Sequence, residues 1–242
     1  MSELMRLDRY LGHLGVGTRS ELKALLRAGR VSVEGVPERD GARRIDAETA
    51  RVAFDGRPLC YKRHRHVMMN KPAGVITAAE DPRARTVLDL LPGLYRACGC
   101  MPVGRLDKDT EGLLLLTSDG TLAHRIISPG RHVDKVYLAR VDGPLGEADV
   151  QAFAQGLALS DFRAMPAQLE ILRSAPDASE ARCTVQEGKF HQVKRMFAAR
   201  GVHVVFLKRL SIGPVALDPE LAPGAFRELT DDELAALQAC TR

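Results

Sequence analysis

The segment Gly112-Leu113-Leu114-Leu115-Leu116-Thr117 most restricts how this 242-residue chain can fold. Its four leucines leave no polar face, so it reads as a strand buried in a sheet. Upstream lies a polar loop, Gly104-Arg105-Leu106-Asp107-Lys108-Asp109-Thr110-Glu111, and downstream an Asp119-Gly120 turn. A loop anchored on a buried strand is a good place to fix a catalytic group. Asp107 and Asp109 are open to more than one reading. They could be turn formers that bond backbone N–H groups, or an acid and nucleophile of glycosidase type. Asp109, beside Thr110, is preferred as a turn former, whereas composition alone leaves Asp107 undecided.

Around this segment, from Val67 on, the pattern is one of short apolar strands separated by turn residues. The expected strands are 67–70, 75–77, 113–117, 135–140, 167–172, 181–186 and 203–208. Helices are expected over 87–91, 121–127, 147–156, 192–199 and 231–238, the last opened by a capping box, Thr230-Asp-Asp-Glu233. Strands outnumber helices without strict alternation, which predicts an α+β body with a mostly antiparallel or mixed sheet and flanking helices. No G-x-G-x-x-G or P-loop is present, so a doubly wound nucleotide fold is not expected.

The first sixty residues have a different character. Leu7, Tyr10, Leu11 and Leu14 recur at helical spacing, and Thr18-Arg-Ser-Glu21 reads as a capping box for a second helix that Gly29 ends. Short strands are expected at 31–33 and near 51–54. Net charge is only +4, but residues 1–66 hold 14 Lys/Arg against 9 Asp/Glu, whereas the rest holds 21 against 22. Arg19, Lys23, Arg27 and Arg30 share one helical face, with Arg6 and Arg9 just before them. A solvated helix face is one reading. A row of cations meeting successive RNA phosphates is the other, and it is preferred here.

Two resemblances follow. Arg6-Leu-Asp-Arg-Tyr-Leu11, Thr18-Arg-Ser20 and Gly29-Arg-Val-Ser-Val-Glu-Gly35 resemble the S4 RNA-binding domain. This implies shape and backbone recognition of folded RNA. Gly104-Arg-Leu-Asp-Lys-Asp-Thr-Glu-Gly-Leu-Leu-Leu-Leu-Thr-Ser-Asp-Gly120 resembles the catalytic motif of RsuA-type pseudouridine synthases. Met69-Asn-Lys-Pro-Ala-Gly74, His124-Arg-Ile-Ile-Ser-Pro129 and Glu187-Gly-Lys-Phe-His-Gln-Val-Lys-Arg-Met196 follow the same family pattern. The organisation expected is therefore a small S4-like domain over 1–60, a basic linker over 61–66, and a synthase domain over 67–242.

The resemblance implies Asp107 as the catalytic carboxylate, Lys194 as its cationic partner, and Tyr137 of a Lys135-Val-Tyr motif against the target base. On pattern alone Tyr137 could equally be packed in the sheet, and Lys194-Arg195 could be a solvated pair. Leu207 is expected under the base, with Arg105, Lys135, Arg195 and Arg209 contacting RNA. His191 is read as a hydrogen-bonding residue at a helix start, not as a base. Either attack on ribose C1′ or removal of the C2′ proton needs an ionised Asp held near a cation. The isomerisation has no net redox change, so neither cofactor nor metal is expected.

Five cysteines without C-x-x-C pairs argue against disulfides and structural zinc. No apolar run approaches the roughly 20 residues of a membrane helix, and the N-terminal residues have no apolar signal core. A cytoplasmic monomer acting on 16S ribosomal RNA is the expectation. The alternatives are the same reaction on 23S RNA, or a non-catalytic S4-type ribosome assembly factor.

Overall fold

The structure, a computed structural model, describes residues 3–241. The chain forms two compact units, one of residues up to Arg65 together with Leu91–Met101, the other of His66–Leu90 with the residues from Pro102 on.

In the first unit a strand, Leu4–Arg6 (β1), leads into two helices, Leu7–His13 (α1) and Arg19–Arg27 (α2). The Thr18–Glu21 capping box is formed as expected. Four short strands, Val31–Val33 (β2), Val36–Pro37 (β3), Val52–Phe54 (β5) and Arg57–Pro58 (β6), make a sheet in the order β3-β2-β5-β6. Arg44–Asp46 (β4) pairs antiparallel with β1. Leu7, Tyr10, Leu11, Leu22, Leu26 and Val31 are the heart of its core.

The division of the chain differs from the expected one in two places. Tyr61, assigned to a linker over 61–66, stacks on Tyr10 at 5.4 Å between ring centres and donates to Glu3 Oε2 at 3.1 Å. His66 instead begins the first strand of the second unit. A later helix, Gly93–Ala97 (α3), belongs to the first unit, where a Cβ on Gly15 (φ 69°) would crowd the Leu94 backbone. The glycine serves both the left-handed turn that ends α1 and this close approach.

The second unit is built on one mixed sheet. Its strands are His66–Lys71 (β7), Glu111–Thr117 (β9), Lys135–Val141 (β10), Gln168–Ser174 (β11), Ser179–Val185 (β12), Val204–Ile212 (β13), Val215–Ala216 (β14) and Phe226–Glu228 (β15), the chain having returned through Met101–Pro102 (β8). The order runs β11-β12-β10-β13-β9-β7-β15. Neighbours are antiparallel except β9 and β13, which run parallel. Leu113–Leu116 lie near the middle of the sheet, each no more than 2% exposed, as four leucines without a polar face require. Burying each is worth about 1.5–3 kcal/mol.

Helices Gly120–Ile127 (α4), Glu147–Gln155 (α5), Gln192–Ala198 (α6) and Asp231–Cys240 (α7) complete the unit. Asp119 caps α4, and Thr230 with Glu233 forms the expected box on α7. Residues 75–77 are not a strand: Ile76 makes a single bridge to Thr86, and Thr77 turns its hydroxyl to the polar loop instead of entering a ladder. Val87–Leu90 is one 3₁₀ turn. No helix of the described residues is long and apolar enough to cross a membrane. Cys98, Cys100 and Cys183 are buried thiols, while Cys60 and Cys240 are exposed.

Candidate active site

The parallel pairing of β9 with β13 dictates where the polar loop stands. Glu111 and Gly112 lie opposite Lys208 and Arg209, and a Cβ on Gly112 (φ 97°) would strike the Arg209 backbone oxygen. Only glycine allows the two strands to meet there. Immediately upstream, Thr110 N–H donates to the Asp107 carbonyl at 3.1 Å and closes a tight turn.

That turn is held from below by Lys71, which is fully buried at the end of β7. Its ammonium reaches the carbonyl oxygens of Asp107 (3.0 Å), Thr110 (2.9 Å), Pro72 (3.1 Å) and Lys108 (3.3 Å). Burial pushes the Lys71 pKa down to about 8, against the opposing pull of Asp109, Asp107 and Glu111. Thr77 Oγ donates to the Leu106 carbonyl at 2.8 Å, and Gly74 N–H donates to that of Lys108 at 2.8 Å. The backbone on both sides of Asp107 is therefore fixed before any ligand arrives.

The second half of the site is the turn into α6. Glu187, buried, accepts from Met165 N–H (2.7 Å) and from the Gln192 side-chain amide (2.7 Å). Gln192 in turn accepts from Lys189 N–H at 3.0 Å. These bonds draw Glu187 and Gln192 inward and leave Phe190 and His191 outside, His191 in a left-handed conformation at φ 49°. Lys194, one turn on, lies 3.3 Å from Asp107 Oδ2 and 2.6 Å from Asp109 Oδ1. His191 Nε2 is 3.5 Å from Asp107 Oδ1.

A cleft results, lined among others by Leu106, Asp107, Tyr137, His191, Lys194 and Leu207. Tyr137 and Leu207 come from the paired strands β10 and β13, where Tyr137 faces Arg209 and Ala139 faces Leu207. An aromatic ring, an aliphatic side chain and a carboxylate with cations beside it suit a flat, polar-edged ring attached to a sugar. Among the described residues no group of three or more His, Cys, Asp or Glu side chains could hold a metal ion.

The structure brings Asp107, Lys194, Tyr137, Leu207 and exposed Arg105 around one cleft. Other basic residues expected at RNA are spent elsewhere. Lys135 is buried, its ammonium donating to the carbonyls of Val133 (2.7 Å) and Gln186 (3.2 Å), and burial lowers its pKa to about 8. Arg209 is 3% exposed and donates to the Leu113 carbonyl (2.8 Å) and the Tyr137 hydroxyl (3.3 Å). Strand alternation explains both, since they share the inward face with Tyr137. Arg195 pairs with Asp161 and also donates to Ser160 Oγ at 2.9 Å.

The Asp109 side chain accepts from Lys194, and that bond is the main reason its carboxyl lies below the usual range. In the first unit Arg9, Arg19, Lys23 and Arg27 are exposed. Arg6 is paired with Asp8, and Arg30 with Asp55. Sequence reasoning missed Lys71: it lies in the quoted Asn70-Lys71-Pro72 run, but a lysine inside an apolar strand carries no mark of where its ammonium goes.

Residues 65–199 match the model of the RNA pseudouridylate synthase family. The chain is 45% identical over 234 residues to "Uncharacterized RNA pseudouridine synthase YtzG" of Bacillus subtilis (strain 168), covering 96% of this chain and 98% of the relative. It is 41% identical over 237 residues to "Ribosomal small subunit pseudouridine synthase A" of Escherichia coli (strain K12), covering 96% of this chain and all of the relative. A solved structure described as "Crystal structure of pseudouridylate synthase" superposes with a TM-score of 0.67 at 36% identity, over 96% of this chain and 99% of that one.

Proposed function

From the premise that this chain belongs to the RNA pseudouridylate synthase family, we propose that it converts a uridine of 16S ribosomal RNA to pseudouridine, with Asp107 as the catalytic carboxylate. The observation that carries this reading is Asp107 in a cleft with Tyr137 and Leu207, its carboxylate 3.3 Å from the Lys194 ammonium.

The reaction breaks the bond from ribose C1′ to uracil N1, turns the base, and bonds C5 to C1′. N1 gains a proton and C5 loses one, so the formula is unchanged. Attack of a carboxylate on C1′ and removal of the C2′ proton both begin from an ionised Asp107. Lys194, 3.3 Å from Oδ2, and His191, 3.5 Å from Oδ1, orient the carboxylate. Tyr137 offers a ring face on which uracil can stack, and Leu207 an apolar surface on the same side. The target must leave its stack to reach Asp107, at a cost of a few kcal/mol that is smallest in a loop or bulge.

The first unit, with two helices, small strands and exposed Arg9, Arg19, Lys23 and Arg27, is read as an S4-like module that holds RNA by its phosphates. Small-subunit RNA is preferred because the Escherichia coli relative, aligned over its whole length, is a ribosomal small subunit pseudouridine synthase.

The test is incubation of wild type and Asp107→Asn with unmodified 16S and 23S transcripts, naked and carrying ribosomal proteins. Pseudouridine is mapped by carbodiimide treatment and primer extension. A new stop on 16S RNA with wild type alone is the expected result. A stop on 23S RNA alone overturns the substrate, and equal stops with Asp107→Asn overturn the role of Asp107. Binding without any stop favours an assembly factor.

A further inference from the structure

Phe190 stands out among the large apolar side chains. It is 69% exposed, more than any other exposed large hydrophobic residue of the described chain, although it sits beside a polar cleft. Its position is built, because the hydrogen bonds among Glu187, Gln192 and Lys189 pin the turn on either side of it. One face of the ring lies on His191, with ring centres 3.8 Å apart and planes 17° from parallel. His191 in turn reaches Asp107 with its Nε2. Phe190 itself does not line the cleft, so the ring lies on the outer side of the imidazole that borders it.

We propose that Phe190 is a stacking platform for a nucleobase of the RNA strand next to the uridine held in the Asp107 cleft. The proposal rests on the RNA-modifying reading given above. Extrusion of the target breaks its stacking with its neighbours. An open aromatic face beside the cleft can replace part of that lost stacking, and it does so for any base, because every base has a π-face. The local charge fits the same ligand. Exposed Lys189 is the preceding residue, and its ammonium lies 4.0 Å from the centre of the Phe162 ring; Arg195, over the same ring at 5.1 Å, is already paired with Asp161. An exposed lysine next in the chain to an exposed ring suits a nucleotide, which carries a phosphate with its base. It does not suit an apolar protein segment.

The chain contains no tryptophan, so Phe190→Trp places its one indole at the platform. Titrating the full-length variant with unmodified 16S transcript should quench the emission of the introduced indole severalfold. A matched reporter, Leu172→Trp on exposed β11, should change little. In single-turnover assays Phe190→Ala should raise the half-saturating RNA concentration about tenfold, in the range that loss of one base–aromatic stack gives. The rate at saturation should stay near wild type, and Phe190→Tyr and Phe190→Trp should retain the wild-type half-saturation. Unquenched indole emission from Phe190→Trp with RNA bound, or a wild-type half-saturation for Phe190→Ala, overturns the proposal. Quenched emission from Phe190→Trp in a protein that converts no uridine overturns the isomerase reading and leaves the platform standing.

Discussion

The side-chain nitrogen of Lys71 donates a 3.0 Å hydrogen bond to the backbone carbonyl of Asp107, from a position with no exposed surface. A buried cation in a sheet strand is costly unless every donor is used. Here the protons are shared among four carbonyl oxygens, three of them (Asp107, Lys108 and Thr110) in the loop that carries the carboxylate and the fourth on Pro72. Replacing Lys71 by Met leaves those acceptors without a donor, at about 1–3 kcal/mol for a buried unsatisfied group. The loop should then lose its set. Turnover is expected to fall on the order of 100-fold, the scale of a small misplacement of a reacting group. RNA affinity measured by filter binding should change little, since the first unit is untouched.

Lys71 also predicts an alkaline limb in the rate profile. Its folded pKa, about 8, lies below the ordinary 10.5 because burial disfavours the charge. The sign for stability follows from linkage: the unfolded chain binds the extra proton between these values, so this group's contribution to global stability rises with pH across that window. The loop behaves oppositely, because the neutral amine has one proton fewer for its carbonyls. Single-turnover rates should therefore fall with an apparent pKa near 8 while the melting temperature shows no matching loss. In Lys71→Arg, which stays charged, the limb should disappear. A limb unchanged in that variant would exclude Lys71 as its source.

How much of this was legible beforehand depended on whether pattern alone decides a side chain's direction. Leu113–Leu116 can only be buried, and the loop before them can only be polar, so the place of Asp107 in a loop fixed on a buried strand was legible from its motif. Lys194 followed because an acidic site needs a cation and the family pattern supplies one. Lys135 and Arg209 misled for a physical reason. Basic residues are presumed to face solvent, but period-2 alternation puts both on the face of Tyr137, where backbone carbonyls accept from the Lys135 ammonium and from one guanidinium N–H of Arg209. The assignment of Gly93–Ala97 to the first unit was not legible, because a tertiary contact at Gly15 has no local pattern.

Asp107 and Asp109 share Lys194, and the nearer of the two is Asp109, at 2.6 Å. Its side chain is 74% exposed, so the pair is screened and worth no more than about 1 kcal/mol. Asp109→Asn should free the ammonium for Asp107 and change turnover by less than about tenfold, in line with that magnitude. Asp107→Asn should abolish turnover while RNA binding persists. Equal loss in the two variants, measured in the same single-turnover assay, would mean that the carboxylates act as a pair.

The Tyr137 hydroxyl is an acceptor for the buried Arg209 guanidinium at 3.3 Å, and another terminal nitrogen of that guanidinium has no partner. Removing the hydroxyl with Tyr137→Phe leaves a buried cation less satisfied. A hydrogen bond to a charged group is worth about 1.5–3 kcal/mol. Chemical denaturation should show a loss of that order with an unchanged slope. The ring remains for stacking, so turnover at a temperature where the variant is folded should fall less than in Tyr137→Ala.

Exposed Arg19, Lys23 and Arg27 on α2 differ from Arg30, although all four share one face in the sequence pattern. Arg30 lies beyond the helix and is already paired with Asp55, so its charge is largely spent within the protein. A cation that meets a phosphate releases condensed counterions, and each such contact adds about 0.7–0.9 to the slope of log affinity against log salt. Replacing Arg19, Lys23 and Arg27 together by Ala should lower that slope by about two and weaken RNA binding most at low salt. The single change Arg30→Ala should move it by much less than one contact's worth, about 0.7. Filter binding of 16S transcript between low and physiological salt measures both. A slope unaffected by the triple change would show that the RNA does not lie along α2.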